Sequence, residues 1–250
     1  MIWPFNKYYS ILDTGFLEGA TDWHSHILPG VDDGIRSIES ALNVLGYYEK
    51  TGIREVWLTP HIMVDYPNQT TALRERFTEL KAGYNGPIRL HLAAENMIDT
   101  LFDERLEEGD LLTIGGESEI PGSEGALLLV ETSYFNPPIT LDETLREIRH
   151  RGMYPLIAHP ERYAYMGRRD YDRYKESGVR FQLNLMSLSG MYGDLAADNA
   201  SRLLLDGMYD YAGSDIHRLS PWQHAISSPV LNKKEVAALL SLKERMENQG

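Results

Sequence analysis

Residues 126–131 of the chain read Ala126-Leu-Leu-Leu-Val-Glu131, an unbroken apolar run that ends in an acid. A strand that faces water on one side alternates apolar and polar residues, whereas this run is apolar on both faces. Such a run is typical of a strand in a parallel sheet that helices cover on each side. The stretch Leu156-Ile-Ala158 has the same character further along the chain. Both stretches favour the α/β class.

Similar short apolar runs recur along the sequence and alternate with longer amphipathic segments. The runs lie at residues 20–24, 55–59, 88–94, 126–131, 154–159, 179–185 and 209–214. Helical periodicity is found at residues 37–51, 71–83, 141–151, 196–206 and 233–247. Strands that alternate with helices in this way predict a closed (β/α) barrel, or a near relative with one strand fewer than eight. An open doubly wound sheet is the alternative, and either fold would place catalytic residues at the carboxyl ends of strands.

The composition is that of one soluble globular domain. The chain has 250 residues, of which 42% are hydrophobic and 24% charged. We treat residues 1–20 as an N-terminal extension and residues 21–250 as the domain, and we predict an exposed loop at residues 115–125. No apolar run is long enough to span a membrane, and the first residues lack the pattern of a signal peptide, so we expect a cytoplasmic protein. The absence of cysteine agrees with a reducing compartment and excludes a thiolate nucleophile.

The formal net charge of −13 disfavours nucleic acid as a partner. Binding to duplex phosphates requires clustered Lys and Arg side chains that displace counterions. Part of the acidity can instead serve divalent cations, because each carboxylate ligand adds negative charge that a metal ion neutralises. We therefore expect no nucleic-acid partner and no insertion into a membrane.

Almost every predicted strand ends in a residue that can bind a metal ion. The first ends in His24-Ser-His26, and alternate side chains of an extended strand point to the same side. The other candidates are Asp33, His61, Glu95, Glu131, His159, Asp215 and His217. Chance would scatter the eight histidines of the chain over loops and helices, yet five of them stand at the ends of four strands. The set therefore predicts a shared metal centre.

The predicted ligands are all imidazole and carboxylate groups, which suits Zn²⁺, Mn²⁺ or Fe²⁺ and argues against a structural zinc of the finger type. Nine candidates are too many for one ion and suit two or three ions with a bridging carboxylate. Ions about 3.5–4 Å apart can hold a bridging hydroxide and clamp the oxygens of a phosphoryl group. The sequence contains no P-loop, no dinucleotide-binding glycine motif and no nucleophile elbow. A metal-dependent phosphohydrolase is therefore the predicted enzyme class.

Six motifs of the sequence form one pattern: Asp22-Trp-His-Ser-His-Ile-Leu-Pro-Gly-Val-Asp-Asp-Gly34, Thr59-Pro-His61, Ala94-Glu95, Val130-Glu131, Ile157-Ala-His-Pro-Glu-Arg-Tyr163 and Gly213-Ser-Asp-Ile-His217. Together these motifs resemble the polymerase-and-histidinol-phosphatase (PHP) superfamily. Within it, the pattern is similar to the bacterial tyrosine-protein phosphatases that accompany capsule and exopolysaccharide clusters. The resemblance covers about residues 21–224. It implies a distorted (β/α)7 TIM-like barrel in a single domain, with a trinuclear centre that manganese often occupies and with Fe²⁺ or Zn²⁺ as alternatives.

The resemblance also implies the role of each residue. The first ion would take His24, His26, Glu95 and Asp215; the second would share Glu95 and add Glu131 and His159; the third would take Asp33, His61 and His217. Arg162 would bind the phosphate, because a guanidinium suits the geometry of that anion. His224 is a candidate phosphate contact or proton donor. Arg218 lies earlier than the second arginine of the family, and whether Arg218 or His224 contacts phosphate stays open.

The predicted reaction is attack of a metal-bridging hydroxide on the phosphorus of phosphotyrosine. The resemblance implies that the substrate is a flexible protein tail, such as that of a bacterial tyrosine kinase linked to capsular or extracellular polysaccharide synthesis. Candidates to flank the phenyl ring are Tyr66, Tyr134, Phe135, Tyr163 and Tyr165. The alternatives are a histidinol-phosphate or other small-molecule phosphatase, a metal-dependent nuclease, which the acidic balance disfavours, and a metal-binding scaffold without activity.

Overall fold

The apolar runs of the sequence form short parallel strands separated by helices. The computed structural model describes residues 7–115 and 125–248. The strands of this part are β1 Thr21–Ser25, β2 Glu55–Leu58, β3 His61–Ile62, β4 Arg89–Leu92, β5 Glu95–Met97, β6 Leu127–Glu131, β7 Tyr154–Ala158, β8 Arg180–Asn184 and β9 Tyr211–Gly213. The helices are α1 Ile38–Thr51, α2 Thr70–Gly83, α3 Phe102–Glu108, α4 Leu141–His150, α5 Arg168–Glu176, α6 Asp194–Leu205, α7 Leu219–Ser227 and α8 Lys233–Glu247. Short 3-10 helices lie at Leu12–Thr14, Pro160–Arg162 and Leu185–Ser189.

The strands form two parallel sheets that continue each other. One has the order β1-β2-β4, and the other has the order β3-β5-β6-β7-β8-β9. Backbone hydrogen bonds cross the gaps between them, from Ala93 N to Leu58 O at 2.9 Å and from Glu95 N to Pro60 O at 3.1 Å. Pro60 lies between β2 and β3 along the chain. It has no N–H to donate and so interrupts the hydrogen bonding of this stretch to the neighbouring strand. In each sheet the strand order follows the chain, without the reversal that a doubly wound sheet requires.

The sheet curls until its first and last strands approach each other. Asp215, just after β9, donates its backbone N–H to His24 O at 2.8 Å, and His26 donates to Ile216 O at 3.1 Å. The strand β6 is buried along its whole length, as its unbroken apolar run predicts. The prediction of a single α/β domain with a parallel sheet is confirmed, with a curled sheet as its form.

The helices begin and end near the residues that the periodicity predicts. In α1, the Ser37 side chain caps the N-terminus by accepting a hydrogen bond from Ser40 N at 3.2 Å. Gly52 ends the same helix with a φ of 90°, which a residue with a Cβ adopts only at a cost. The helices α3, α5 and α7 were not predicted. Only Tyr171 and Tyr174 of α5 are buried, so its apolar stripe is too thin to recognise among the charged residues.

Residues 7–20 pack onto the rest of the chain. Tyr9 and Leu231 exchange backbone hydrogen bonds of 2.8 and 2.9 Å, and the side chains of Ile11 and Phe16 are buried in the core. The division at residue 20 stays a prediction. Residues 1–6 and most of the predicted loop at 115–125 lie outside the described residues. None of the described helices has the length and apolar character that crossing a membrane requires.

The substitution Leu129→Ala should lower the free energy of unfolding by about 2–5 kcal/mol, because it removes a fully buried side chain from β6 and leaves a cavity. Urea unfolding followed by circular dichroism measures this loss. Leu205→Ala is the matched control, since Leu205 at the end of α6 is 46% exposed and should change stability by less than about 0.5 kcal/mol. Equal losses in the two variants would contradict the position of β6 in the core.

Candidate metal centre

Two histidines at the end of β1 reach the same side of the sheet. His24 and His26 alternate along an extended segment, so their rings project in the same direction. Their Nε2 atoms lie 3.1 Å apart, and both residues are fully buried. Two imidazoles this close in a protein interior can bind one ion, because each ring presents a nitrogen to the same point.

Glu95 and Asp215 bring two carboxylates to these histidines. Glu95 begins β5, and its Oε2 lies 3.2 Å from His24 Nε2 and 3.3 Å from His26 Nε2. Asp215 follows β9, and its Oδ1 lies 3.2 Å from His26 Nε2 and 3.6 Å from His24 Nε2. Four of the predicted ligands, from three separate parts of the chain, thus meet in one buried cluster.

His61, Glu131 and His159 extend this cluster through Glu95. His61 Nδ1 lies 3.0 Å from Glu95 Oε2 and 3.0 Å from Glu131 Oε1. His159 Nε2 lies 3.0 Å from Glu95 Oε1 and 3.9 Å from Glu131 Oε2. Glu95 therefore contacts histidines with both of its carboxylate oxygens, which is the arrangement expected of a bridging ligand.

Asp33 and His217 lie on the outer side of the cluster. Asp33 Oδ1 lies 3.4 Å from His217 Nε2 and 3.7 Å from His61 Nε2. The ring centroids of His26 and His217 are 4.0 Å apart, so His217 also adjoins the inner histidines. Asp33 is the most exposed of these acids, with 54% of its side chain accessible to solvent. The structure thus brings all nine predicted ligands into one connected group.

The donor atoms of this group fit metal ions. Within each of three sets, the ligand atoms lie within 4.8 Å of one another: His24, His26 and Asp215; His61, Glu95 and Glu131; and His26, His61 and His217. Four buried ligand atoms make no hydrogen bond of suitable geometry among the described residues, although the first three lie 3.0 Å from one another in pairs through His61: His61 Nδ1, Glu95 Oε2, Glu131 Oε1 and His159 Nδ1. Burying a polar atom without a partner is costly. Divalent cations among these nitrogens and oxygens would remove that cost.

The electrostatics of the group favour positive charge. Burial opposes ionisation of Glu95, yet the neighbouring His24 and His61 hold its pKa well below the ordinary value. Burial and the charge of His26 disfavour protonation of His61, but Glu95 and Glu131 raise the pKa of that ring to about 10. A hydrogen bond from His217 is the main cause that lowers the pKa of Asp33 to about 2. The carboxylates therefore stay ionised and attract cations.

Polar residues behind the cluster orient the histidines, and sequence reasoning missed them. His26 Nδ1 lies 2.8 Å from Asp32 Oδ2, and His24 Nδ1 lies 2.9 Å from Gln182 Oε1. These contacts turn the Nε2 atom of each ring toward the centre, as supporting hydrogen bonds do in metal sites. Asp32 is next to the predicted ligand Asp33, so the sequence shows an acid at this position. It does not show which way that side chain points. For Gln182 in β8, no sequence pattern indicates a role beside the cluster.

The chain adopts uncommon backbone conformations beside the cluster. His159 and Asp215 have φ values of 35° and 51°, in the left-handed region that residues with a Cβ seldom adopt. Asp22 anchors the segment before Asp215, because its carboxylate accepts from Ser214 N at 2.7 Å and from the Tyr48 hydroxyl at 2.8 Å. Such strain persists where surrounding contacts hold the backbone in place.

A cavity of about 410 Å³ opens onto the outer side of the cluster. Its lining includes the ligand candidates Asp33, His61, Glu95, His159, Asp215 and His217, together with Arg162, Arg218, Tyr134, Tyr192, Met186, Met191 and Pro221. Arg162 Nη1 donates to Asp215 Oδ2 at 3.1 Å. His224 is exposed on α7 and is not among the lining residues. The cavity thus joins the predicted metal ligands to two arginines.

The aromatic residues predicted to flank a substrate ring have different environments. Tyr163 is fully buried and belongs to the core, where its hydroxyl accepts from Thr132 N at 3.2 Å, so it cannot reach a ligand in the cavity. Tyr134 lines the cavity, and the ring of Tyr66 stacks 6.1 Å from that of His61. Phe135 is 74% exposed, and neither it nor Tyr165 lines this cavity.

Comparison with known proteins finds one matching family and similar proteins from two bacteria. The family described as capsular polysaccharide synthesis, CpsB/CapC, matches residues 20–234. Tyrosine-protein phosphatase YwqE of Bacillus subtilis is 26% identical over 204 residues, which are 79% of this chain and 77% of that protein. CapC of Staphylococcus aureus is 26% identical over 208 residues, which are 80% of this chain and 77% of that protein.

A solved structure has the same fold. It comes from the crystal structures of YwqE from Bacillus subtilis and CpsB from Streptococcus pneumoniae, which are described as unique metal-dependent tyrosine phosphatases. The superposition has a TM-score of 0.67 at 19% sequence identity and covers 92% of this chain and 96% of that one. At this identity the likeness concerns the fold.

The substitution Asp32→Asn should weaken metal binding by about ten- to a hundredfold, because it removes the carboxylate that orients His26. Competition with a chromophoric chelator measures the affinity for Mn²⁺. Asp65→Asn is the matched control, since Asp65 is exposed and is not part of the cluster. Unchanged affinity in Asp32→Asn would show that the contact to His26 does not support a metal ligand.

Proposed function

Because this chain belongs to the CpsB/CapC family of capsular polysaccharide synthesis proteins, we propose that it is a metal-dependent protein-tyrosine phosphatase. The observation that carries the proposal is the meeting of imidazole and carboxylate side chains from many strand ends beside one cavity that two arginines also line. Phosphoryl transfer depends mainly on positioning and on stabilisation of negative charge, and this cavity offers groups for both.

The nine ligand candidates are proposed to hold two or three divalent ions. His24, His26 and Asp215 would hold one ion, with Glu95 shared between it and a second ion. Glu131 and His159 would complete the second set, because His159 Nε2 lies 3.0 Å from Glu95 Oε1 and 3.9 Å from Glu131 Oε2. Asp33, His61 and His217 would form the third set. Manganese is the proposed metal, with Fe²⁺ or Zn²⁺ as alternatives, because imidazole and carboxylate ligands accept all of them.

The residues of the chain would bind the substrate and hold its phosphoryl group in place. Bound divalent ions would act as Lewis acids toward a water molecule and the phosphoryl oxygens. Arg162 and Arg218 would donate hydrogen bonds to the remaining phosphoryl oxygens. Met191 and Pro221 supply apolar surface on which a phenyl ring can lie. The roles of a hydroxide as the attacking group and of His224 as a proton donor stay predictions.

The proposed substrate is phosphotyrosine on a protein tail, such as that of a bacterial tyrosine kinase linked to polysaccharide synthesis. The names of the relatives support the phosphotyrosine part. The phenolate leaving group has a pKa of about 10 and therefore departs with modest help from an acid. This agrees with a cavity in which the exposed His224 is not a lining residue. The cytoplasmic location stays a prediction.

We also propose that the two sheets together form one seven-stranded (β/α) barrel. The hydrogen bonds across the Pro60 interruption support the treatment of β2 with β3, and of β4 with β5, as single strands. The bonds between His24 and Asp215 and between His26 and Ile216 support closure of the barrel between the first and last strands.

The substitutions His159→Ala and Asp215→Ala should lower turnover of a phosphotyrosyl peptide by about a hundred- to a thousandfold or more, since each removes a proposed metal ligand. Release of inorganic phosphate measures turnover, and elemental analysis measures bound metal. His91→Ala is the matched control, because the His91 ring stacks on Trp57 at 4.7 Å, away from the cluster. Full activity in either ligand variant would exclude these assignments.

The same assay separates the candidate substrates. A phosphatase of the proposed kind should hydrolyse phosphotyrosyl peptide with a higher kcat/KM than histidinol phosphate. The opposite order would favour the small-molecule alternative, and cleavage of DNA or RNA with Mn²⁺ would favour a nuclease.

Arg162→Ala should lower kcat/KM by about a hundred- to a thousandfold with little change in metal content, because it removes a donor aimed at the phosphoryl oxygens. Arg218→Ala should have a smaller effect, since that residue is exposed at the mouth of the cavity. Steady-state kinetics of both variants, with Arg74→Ala on α2 as the exposed control, measure these losses. Kinetics of His224→Ala in the same series test the prediction that His224 is a proton donor. Wild-type kinetics in Arg162→Ala would contradict its role.

A further inference from the structure

We propose that Tyr134 and Tyr192 are positioning residues that hold the Arg162 guanidinium against their rings, in the orientation that binds a phosphoryl group. The inference rests on the proposed phosphatase function, because it concerns the residue that would bind the phosphoryl oxygens. We call Tyr134 and Tyr192 the tyrosine pair.

The guanidinium of Arg162 lies over both rings of the tyrosine pair. Its Cζ atom is 4.4 Å from the ring centroid of Tyr134 and 4.0 Å from that of Tyr192. Both distances are within the roughly 6 Å over which a cation is attracted to an aromatic face. All three residues line the same cavity, so the contact is made where a ligand would bind.

One hydrogen bond is the other contact that fixes the guanidinium among the described residues. Arg162 Nη1 donates to Asp215 Oδ2 at 3.1 Å. A guanidinium has five N–H donors in one plane, so most of them are left for a ligand. A single hydrogen bond allows the plane to turn about it, whereas contact with two ring faces restricts that rotation. The tyrosine pair therefore determines where the free donors point.

The tyrosine pair also limits how closely Arg162 can engage Asp215. A free guanidinium beside a carboxylate tends to form a bidentate pair that occupies both oxygens. Here Asp215 Oδ1 remains 3.2 Å from His26 Nε2, while Oδ2 accepts from Asn184 Nδ2 at 2.7 Å and is the one oxygen that contacts Arg162. Holding the guanidinium on the rings leaves one oxygen of Asp215 available to the metal cluster and the remaining donors of Arg162 available to the substrate.

Packing holds the tyrosine pair itself in place. Tyr134 follows β6, and its ring lies 5.9 Å from the ring of His159 and 6.0 Å from that of Tyr163. Tyr192 precedes α6, on a different loop. Burial raises the pKa of Tyr192 to about 12, so its hydroxyl keeps its proton at neutral pH. Arg162 Cζ lies over the ring centroids, so the ring faces, not the hydroxyls, should matter for the contact.

A double-mutant cycle tests this inference. Tyr192→Leu should lower kcat/KM for a phosphotyrosyl peptide on the order of five- to thirtyfold, chiefly through KM, and should raise the inhibition constant of inorganic phosphate in parallel. Tyr192→Phe keeps the ring and should stay within about twofold of the wild type. In the Arg162→Ala background, Tyr192→Leu should add less than about twofold, because the residue through which it acts is absent. Tyr134→Leu and Tyr134→Phe form a second, parallel cycle.

Controls separate positioning from a general structural role. Tyr154→Leu removes a similar contact, in which Arg149 Cζ lies 4.3 Å from the Tyr154 ring outside the cavity, and it should leave kcat/KM unchanged. Metal content should be equal in all variants. Equal losses from Tyr192→Leu in both backgrounds, or a loss in Tyr192→Phe as large as in Tyr192→Leu, would overturn the inference.

A structural measurement keeps the inference testable if the proposed function fails. Absence of phosphatase activity in the wild type would overturn the proposed function and would leave the position of Arg162 to be measured. Crystal structures of the wild type and Tyr192→Leu then decide. A displaced or disordered Arg162 guanidinium in the variant supports positioning by the ring, and an unchanged guanidinium overturns it.

Discussion

The buried carboxylate of Glu95 imposes the central constraint on this structure. It is fully buried and lies within 3.3 Å of His24, His26, His61 and His159. An ionised carboxylate in a protein interior is stable only when positive charge or hydrogen bonds compensate it. These histidines come from the end of β1 and the residue after it, from the start of β3 and from the segment after β7, so the compensation of one acid requires strands of both sheets to meet at the same place.

The same constraint accounts for local features that would be unfavourable elsewhere. His159 and Asp215 occupy left-handed backbone conformations because their side chains must turn inward directly after a strand. Gly213 has room for no side chain, since a Cβ there would lie 2.5 Å from His24 Cβ. Hydrogen bonds from Ser214 and Tyr48 offset the cost of burying the Asp22 carboxylate. Asp22 thereby holds the segment before Asp215 in place, although it is not itself part of the cluster. Stability and site geometry are thus linked in the same residues.

Much of the fold and of the cluster could be predicted because the signals are local. The apolar run in β6 and the alternation of His24 and His26 depend only on neighbouring residues. The orienting roles of Asp32 and Gln182 depend on which side chains face each other after folding, and residue type alone does not distinguish Asp32 from Asp33. Tyr192 and Arg162 lie in separate segments of the chain, so no short sequence pattern predicts their contact. The helix α5 was missed because packing of two tyrosines, not periodic apolar character, holds it in place.

The closure between the first and last strands has a consequence for biosynthesis. His24 and His26 leave the ribosome early, whereas Asp215, to which His24 is joined through its backbone carbonyl, emerges almost two hundred residues later. Domains generally fold as units once their sequence is available during translation. A nascent chain that ends before β9 holds an incomplete set of donors and lacks the backbone pairing that orders them. Binding of the proposed ions would therefore wait until nearly the whole polypeptide has been made, when geometry as well as ligand chemistry could discriminate between cations.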